Sequence, residues 1–222
     1  MTTQVDNFRS DFNFVEEETS ISPVVDDILW RDHAGDNVVW LMNNNTLGDV
    51  VTLPAVTPDW HVKAAANFDG VGDFFASDAD ILWQNDNGAL ALWQMNAGAV
   101  SAIHALPNPG PTWHVVGDND FNADLSDDIL FQNDNGAVAM WTGISAATGT
   151  VAHMFTGTQN PGPTWHVVGT GDTSFDGFAG VLWQNNNGDL AVWEDPMFRG
   201  GTFFSTPSSP YPRLMPRGTS KA

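Results

Sequence analysis

Short apolar runs and polar turns follow one another along this chain on a fixed schedule. A run of the Ile-Leu-Trp type ends at Trp30, Trp83, Phe131 and Trp183, in steps of 83−30=53, 131−83=48 and 183−131=52 residues. A second run closes ten residues later each time, at Trp40, Trp93, Trp141 and Trp193. A third begins Trp-His-Val at Trp60, Trp113 and Trp165, and the fourth unit lacks it. All 10 tryptophans fall in these three series. Alternation of apolar and small residues, as in Leu90-Ala91-Leu92-Trp93, predicts strands of period two packed between neighbouring sheets.

Each unit is predicted to carry four strands. The first is the Ile-Leu-Trp run and the second the Ala-Leu-Trp run; the third is the weaker run at 50–56, 100–106 and 151–155; the fourth starts at Trp-His-Val. The turn between the first two reads QNDNG twice and QNNNG once. Asn87-Gly88, Asn135-Gly136 and Asn187-Gly188 therefore predict tight hairpins, because both residue types tolerate positive φ. A loop NPGPTW at 108–113 and 160–165 precedes the Trp-His-Val strand. It lies outside any sheet interior, since proline has no donor for the ladder.

A repeat of about fifty residues with several short strands predicts an all-β fold, a β-propeller of four blades with four antiparallel strands each. The propeller is expected over residues 1–205, with inter-repeat loops near 11–27, 67–80, 118–128 and 170–180. The segment VDNFRSDFN precedes the first Ile-Leu-Trp run, and its Asp11-Phe12-Asn13 matches Asp120-Phe121-Asn122. The N-terminal strand is thus expected to join the last blade and close the ring, removing exposed edges. Residues 206–222, with four prolines and a basic end, have no counterpart in the repeat and are predicted to be a disordered tail.

Composition narrows the partners. With 222 residues and 42% hydrophobic content, one domain with a filled core is expected. The 7 basic against 27 acidic residues give a net charge of -20, which repels nucleic acid and anionic membrane and leaves cations, neutral ligands and proteins. Cysteine is absent, so disulfide and thiol chemistry are excluded. The first residues lack the basic start and apolar run of a secretory signal, and no 18-residue apolar stretch occurs, so a soluble chain without membrane insertion is expected.

Oxygen side chains alternate in the 118–128 loop. Asp120, Asn122, Asp124 and the terminal carboxylate Asp128 have the spacing by which a short loop wraps a hard cation such as calcium; the sister loops are eroded. The plainer reading is a solvated turn whose Asp and Asn bond their own backbone. The phrase D-F-N-x-D-x-x-D-D-I-L at 120–130, followed by QNDNG and Ala-Met-Trp and preceded by TWHVVG, resembles the FG-GAP or VCBS-type propeller repeat. That family includes integrin heads, bacterial secreted proteins and certain fungal and bacterial lectins. The resemblance covers roughly residues 4–204 and implies propeller blades, calcium at Asp120, Asn122, Asp124 and Asp128, and recognition of carbohydrate or protein without catalysis. A secreted or cell-surface location is expected, reached by a route independent of a signal peptide. Leu125 stands where the family prefers glycine.

The Trp-His-Val series follows an irregular loop, which places Trp60, Trp113 and Trp165 nearer a surface than the other tryptophans. An indole face stacks on a sugar ring while polar groups bond its hydroxyls. His61, His114 and His166 beside them, with Asn87, Asn135 and Asn187 in the turns, complete the candidate ligand-binding set. The competing readings are blade core for the tryptophans and exposed strand positions for the histidines, without a fourth ligand for a transition metal. No GxSxG, HExxH, P-loop or dinucleotide fingerprint occurs, so no catalytic residue is assigned. The sequence thus predicts a multivalent, lectin-like binding module, with a protein-interaction or self-assembling scaffold as the alternative.

Overall fold

The computed structural model describes residues 27–43, 46–68, 79–156, 160–194 and 203–205. The predicted N-terminal strand, the tail at 206–222 and most of the 67–80 loop lie outside the described residues.

Among those residues the fold is all-β, with fifteen strands in four antiparallel sheets. The first sheet has three strands, β1 (Ile28–Arg31), β2 (Asn37–Asn43) and β3 (Thr46–Leu53). The second is β4 (Trp60–Ala66), β5 (Asp80–Asn85), β6 (Leu90–Asn96) and β7 (Ala99–Leu106). The third repeats it as β8 (Trp113–Asn119), β9 (Asp128–Asn133), β10 (Val138–Ser145) and β11 (Thr150–Thr156). The fourth contains β12 (Trp165–Gly171), β13 (Gly180–Asn185), β14 (Leu190–Trp193) and β15 (Phe203–Ser205). Each sheet is a meander in chain order, the propeller-like organisation that the repeat predicts.

The grouping of strands differs from the expected one. The Trp-His-Val strand does not close its own unit; it opens the next sheet, where Trp60 pairs with Asn85, Trp113 with Asn133 and Trp165 with Asn185. The fourth sheet is consequently complete from its own four strands, and the sheet lacking a Trp-His-Val strand among the described residues is the first. Whether an N-terminal strand joins the last blade falls on residues outside those described. The difference in grouping is one of phase: periodicity fixes the length of a unit and not where a sheet begins. Each Trp-His-Val strand also carries a register shift at the same place, after Val62, Val115 and Val167.

The hairpins are correct in position and different in type. Only the glycine takes positive φ, +88° at Gly88 and +89° at Gly136, and the Gly88 N–H donates to the Asn85 carbonyl at 2.8 Å. This is a three-residue loop with glycine at its left-handed position, not a two-residue turn. Asn87 contributes through its side chain, accepting the Ala89 N–H at 2.8 Å.

The core lies between sheets, and two faces build it. One face of each sheet carries the Ile-Leu-Trp and Ala-Leu-Trp aromatics: Ile81, Trp83 and Trp93 pack on Val39 and Leu53 of the first sheet. Ile129, Phe131 and Trp141 pack on Leu82, Leu90 and Leu92 of the second. Val181, Trp183 and Trp193 pack on Leu130, Val138 and Met140 of the third. The opposite face, made of the leucine positions, receives the following sheet. Period two makes this possible, because Ile81 and Leu82 point to opposite sides. Within the aromatic face the rings pair at 4.9 Å for Trp83 and Trp93 and at 4.7 Å for Phe131 and Trp141, both tilted.

Candidate functional site

The sites form where one sheet meets the next. On β4, His61 lies one residue beyond Trp60, opposite Gln84 of β5. That register brings its Nε2 to 2.8 Å from Asp86 Oδ1, in the turn after β5. The same construction recurs on β8, where His114 Nε2 lies 2.7 Å from Asp134 Oδ1. On β12 it is weakened: His166 Nε2 meets Asn186 Oδ1 at 2.8 Å, because the fourth turn reads QNNNG. Both His–Asp pairs are about half exposed, so their contribution to stability is small.

A glutamine of the same turn joins the sheets. Gln84 donates its Nε2 to the Trp113 carbonyl at 2.7 Å and accepts the Val115 N–H at 3.0 Å. Gln132 donates to the Trp165 carbonyl at 2.7 Å. In the first sheet Arg31 replaces the glutamine, donating to the carbonyls of Trp60 and, at 2.8 Å, of Thr57, with its guanidinium 5.4 Å from the Trp83 ring centre. These bonds pull the Pro-rich loop against the preceding turn. A Cβ on Gly88 would stand 2.2 Å from the Gly110 carbonyl carbon, and one on Gly136 2.2 Å from that of Gly162.

Between the second and third sheets this leaves a cleft of about 90 Å³ lined by His61, Lys63, Asp86, Trp113 and His114, with Gln84 at its base. Burial holds the Lys63 ammonium below its ordinary range, with the Asp86 charge opposing that effect. At the rim, hydrogen bonds from Thr57 and from Asn85 hold Asp59 low; Asn85 Nδ2 lies 2.6 Å from Asp59 Oδ2. The cleft offers a carboxylate, two imidazoles and an ammonium at a partly exposed surface, groups able to donate and accept hydrogen bonds. A His–Asp pair is also the orienting half of a nucleophile triad, but this lining contains no serine, threonine or cysteine.

The residues expected to bind ligand are thus distributed unevenly. Trp113 and His114 line the cleft with His61. Trp60, Trp113 and Trp165 are half-buried and pack their rings against the three core clusters, so their indole faces serve the core as well as any surface. Asn135 and Asn187, like Asn87, spend their Oδ1 on turn N–H groups. Missed by sequence reasoning were Asp86, Asp134 and Gln84. Their signal was present in the recurring QNDNG phrase, but only the strand register shows which histidine faces which acid.

In the 118–128 loop, Asp120 accepts N–H bonds from Asn122, Asp124 and Leu125, and Asn122 accepts the Asp124 N–H at 2.9 Å. Ala123 and Leu125 adopt positive φ to allow it. Asp128 is buried and accepts the Phe121 N–H at 3.1 Å. Burial, then the Asp124 charge, pushes its carboxyl up to about 8. An all-oxygen donor set suits a hard cation, but in this arrangement both Asp120 carboxylate oxygens and Asn122 Oδ1 accept backbone N–H groups and Asp124 Oδ2 accepts Asn122 Nδ2 at 2.9 Å, while the buried Asp128 Oδ1 has no hydrogen-bond partner among the described residues. Among the described residues no group of three or more His, Cys, Asp or Glu side chains is spaced to hold a metal. The loop's visible work is structural: the Ala179 N–H donates to the Asp120 carbonyl at 2.9 Å and the Asp127 N–H to that of Asn67 at 2.7 Å, tying three sheets together.

Fold and site together define a class: a propeller-like array of antiparallel sheets with a polar cleft at the junction of the second and third sheets. No family model matches the chain, and no curated protein matches it. Among solved structures, the crystal structure of human WBSCR16 aligns at 15% identity with a TM-score of 0.39, over 74% of this chain and 44% of that one. The chain therefore spans less than half the length of that structure.

Proposed function

We propose that the protein is a multivalent binding module that recognises carbohydrate at the clefts between successive sheets. The observation that supports this reading is recurrence: the same His–acid pair stands at the same junction twice, as His61–Asp86 and His114–Asp134. Imidazole and carboxylate together can donate to and accept from neighbouring hydroxyls, and Trp113 supplies an apolar edge. Shallow sites of this kind bind weakly one at a time. Several on one rigid body gain avidity on a multivalent surface, which makes a glycoconjugate surface outside the cell the natural partner.

The kinship with FG-GAP or VCBS repeats and the reading of each sheet as one propeller blade belong to the same proposal, supported by the recurring phrases. Calcium in the 118–128 loop is an accessory part of it, and no binding step is routed through the ion. A glycan array run in calcium and again in chelator tests the whole reading. Specific binding that His114→Ala and Trp113→Ala each reduce at least about tenfold is the expected result, each change removing one contact of roughly 1.4 kcal/mol. A blank array in both buffers would reject carbohydrate as the ligand.

A further inference from the structure

The molecule builds one type of interface three times, with the aromatic face of a sheet seated on the leucine face of the sheet before it. Among the described residues, the two outermost sheets each display the unused half of that interface. At the first sheet, Ile28 is 38% exposed, whereas its equivalents Ile81, Ile129 and Val181 are 3%, 0% and 0% exposed. Beside it the Trp30–Trp40 pair keeps the geometry of the buried pairs, with ring centres 4.8 Å apart, yet both residues are only half-buried. The aromatic face is fully formed, and among the described residues no sheet buries Ile28 as its equivalents are buried.

At the fourth sheet the leucine face is open. Leu182 is 38% exposed and Leu190 46%, whereas Leu82, Leu130, Leu90 and Val138 at the equivalent positions are at most 1% exposed. Two further features of the junction stand ready there. Gln184 is exposed where Gln84 and Gln132 are buried and bonded to the next sheet. A Cβ on Gly188 would meet nothing within 4 Å among the described residues, where Gly88 and Gly136 abut the next sheet's Pro-rich loop.

We propose that the open leucine face of β13 and β14 in one copy receives the open aromatic face of β1 and β2 in a second copy. The argument is one of complementarity already realised: these residue types, in this register, pack to near-zero exposure where the third sheet meets the second and the fourth meets the third, while at the first junction Leu29 is half-buried and Asn37 takes the place of Leu90. A flush apolar surface of this kind is a docking site rather than a solvated one. Because two different surfaces meet, the contact is heterologous, and it propagates until a ring closes. This inference is independent of the carbohydrate reading.

The test is the mass of the full chain across a concentration series by sedimentation. Twice the 24.0 kDa chain mass or more at high concentration is expected. Ile28→Lys blocks the aromatic face, and Leu182→Lys with Leu190→Lys blocks the leucine face; each variant alone is expected to sediment as a monomer. Mixed together, the two variants retain one intact pair of faces and are expected to form a 1:1 heterodimer, which misfolded variants would not do. A wild-type chain monomeric at every concentration overturns the proposal. So does a disulfide within one monomeric chain in the double variant Ile28→Cys and Leu182→Cys, since it would show the two faces closing on each other.

Discussion

Two glycines that look alike in the sequence stand in different surroundings. Gly88 and Gly188 both end an Asn-Gly pair and both take φ near +90°. Gly188→Ala is expected to lose only the backbone cost of a left-handed alanine, about 1–2 kcal/mol. Gly88→Ala adds a Cβ 2.2 Å from backbone, so its loss of stability in denaturant melts should be clearly larger. A second residue-scale prediction concerns Asp128. Its carboxyl ordinarily titrates at 3.8 and is raised to about 8 in the fold, so the folded state holds the proton more tightly. Its contribution to stability is therefore greatest below pH about 4 and is lost as pH rises towards 8. Asp128→Asn should flatten that slope when melting is followed from pH 5 to 8 in chelator. Asp128 was legible in the sequence as an acid at a loop end; its burial was not, because the depth of a loop depends on the sheets that flank it.

At the scale of the strand, the glutamine between the sheets and the leucines beneath it carry the junction. Gln132→Ala would remove the side-chain bond that Gln132 donates to the Trp165 carbonyl, at about 1–3 kcal/mol. Leu130→Ala would open a cavity at the junction of the third and fourth sheets, at about 2–5 kcal/mol. The equivalent Leu182→Ala, on the open face, should change the stability of the isolated monomer by about 0.5 kcal/mol or less. Equilibrium unfolding of the three variants checks all three values. Strand positions, turns and the aromatic series were readable from period two and from the Asn-Gly punctuation. The assignment of β4, β8 and β12 to the following sheet was not, since hydrogen bonding between strands leaves no mark on spacing. The candidate site suffered for the same reason: His61 and Asp86 are 25 residues apart and meet only through that pairing.

For the molecule as a whole, charge and phase have separate consequences. A net charge of -20 spread over 222 residues is self-repelling, so added salt or magnesium should raise the melting temperature. A melting curve indifferent to both would show that the acids are too dispersed to repel. The offset between repeat and sheet reaches further. Because each sequence unit ends with the first strand of the next sheet, every unit is a covalent splice across a junction. Removing one whole unit, for instance by joining the chain at Trp83 to the residue after Phe131, leaves a hybrid sheet with four strands in register. Unequal crossing-over between such units can therefore lengthen or shorten the protein in whole sheets, each with its four strands in register.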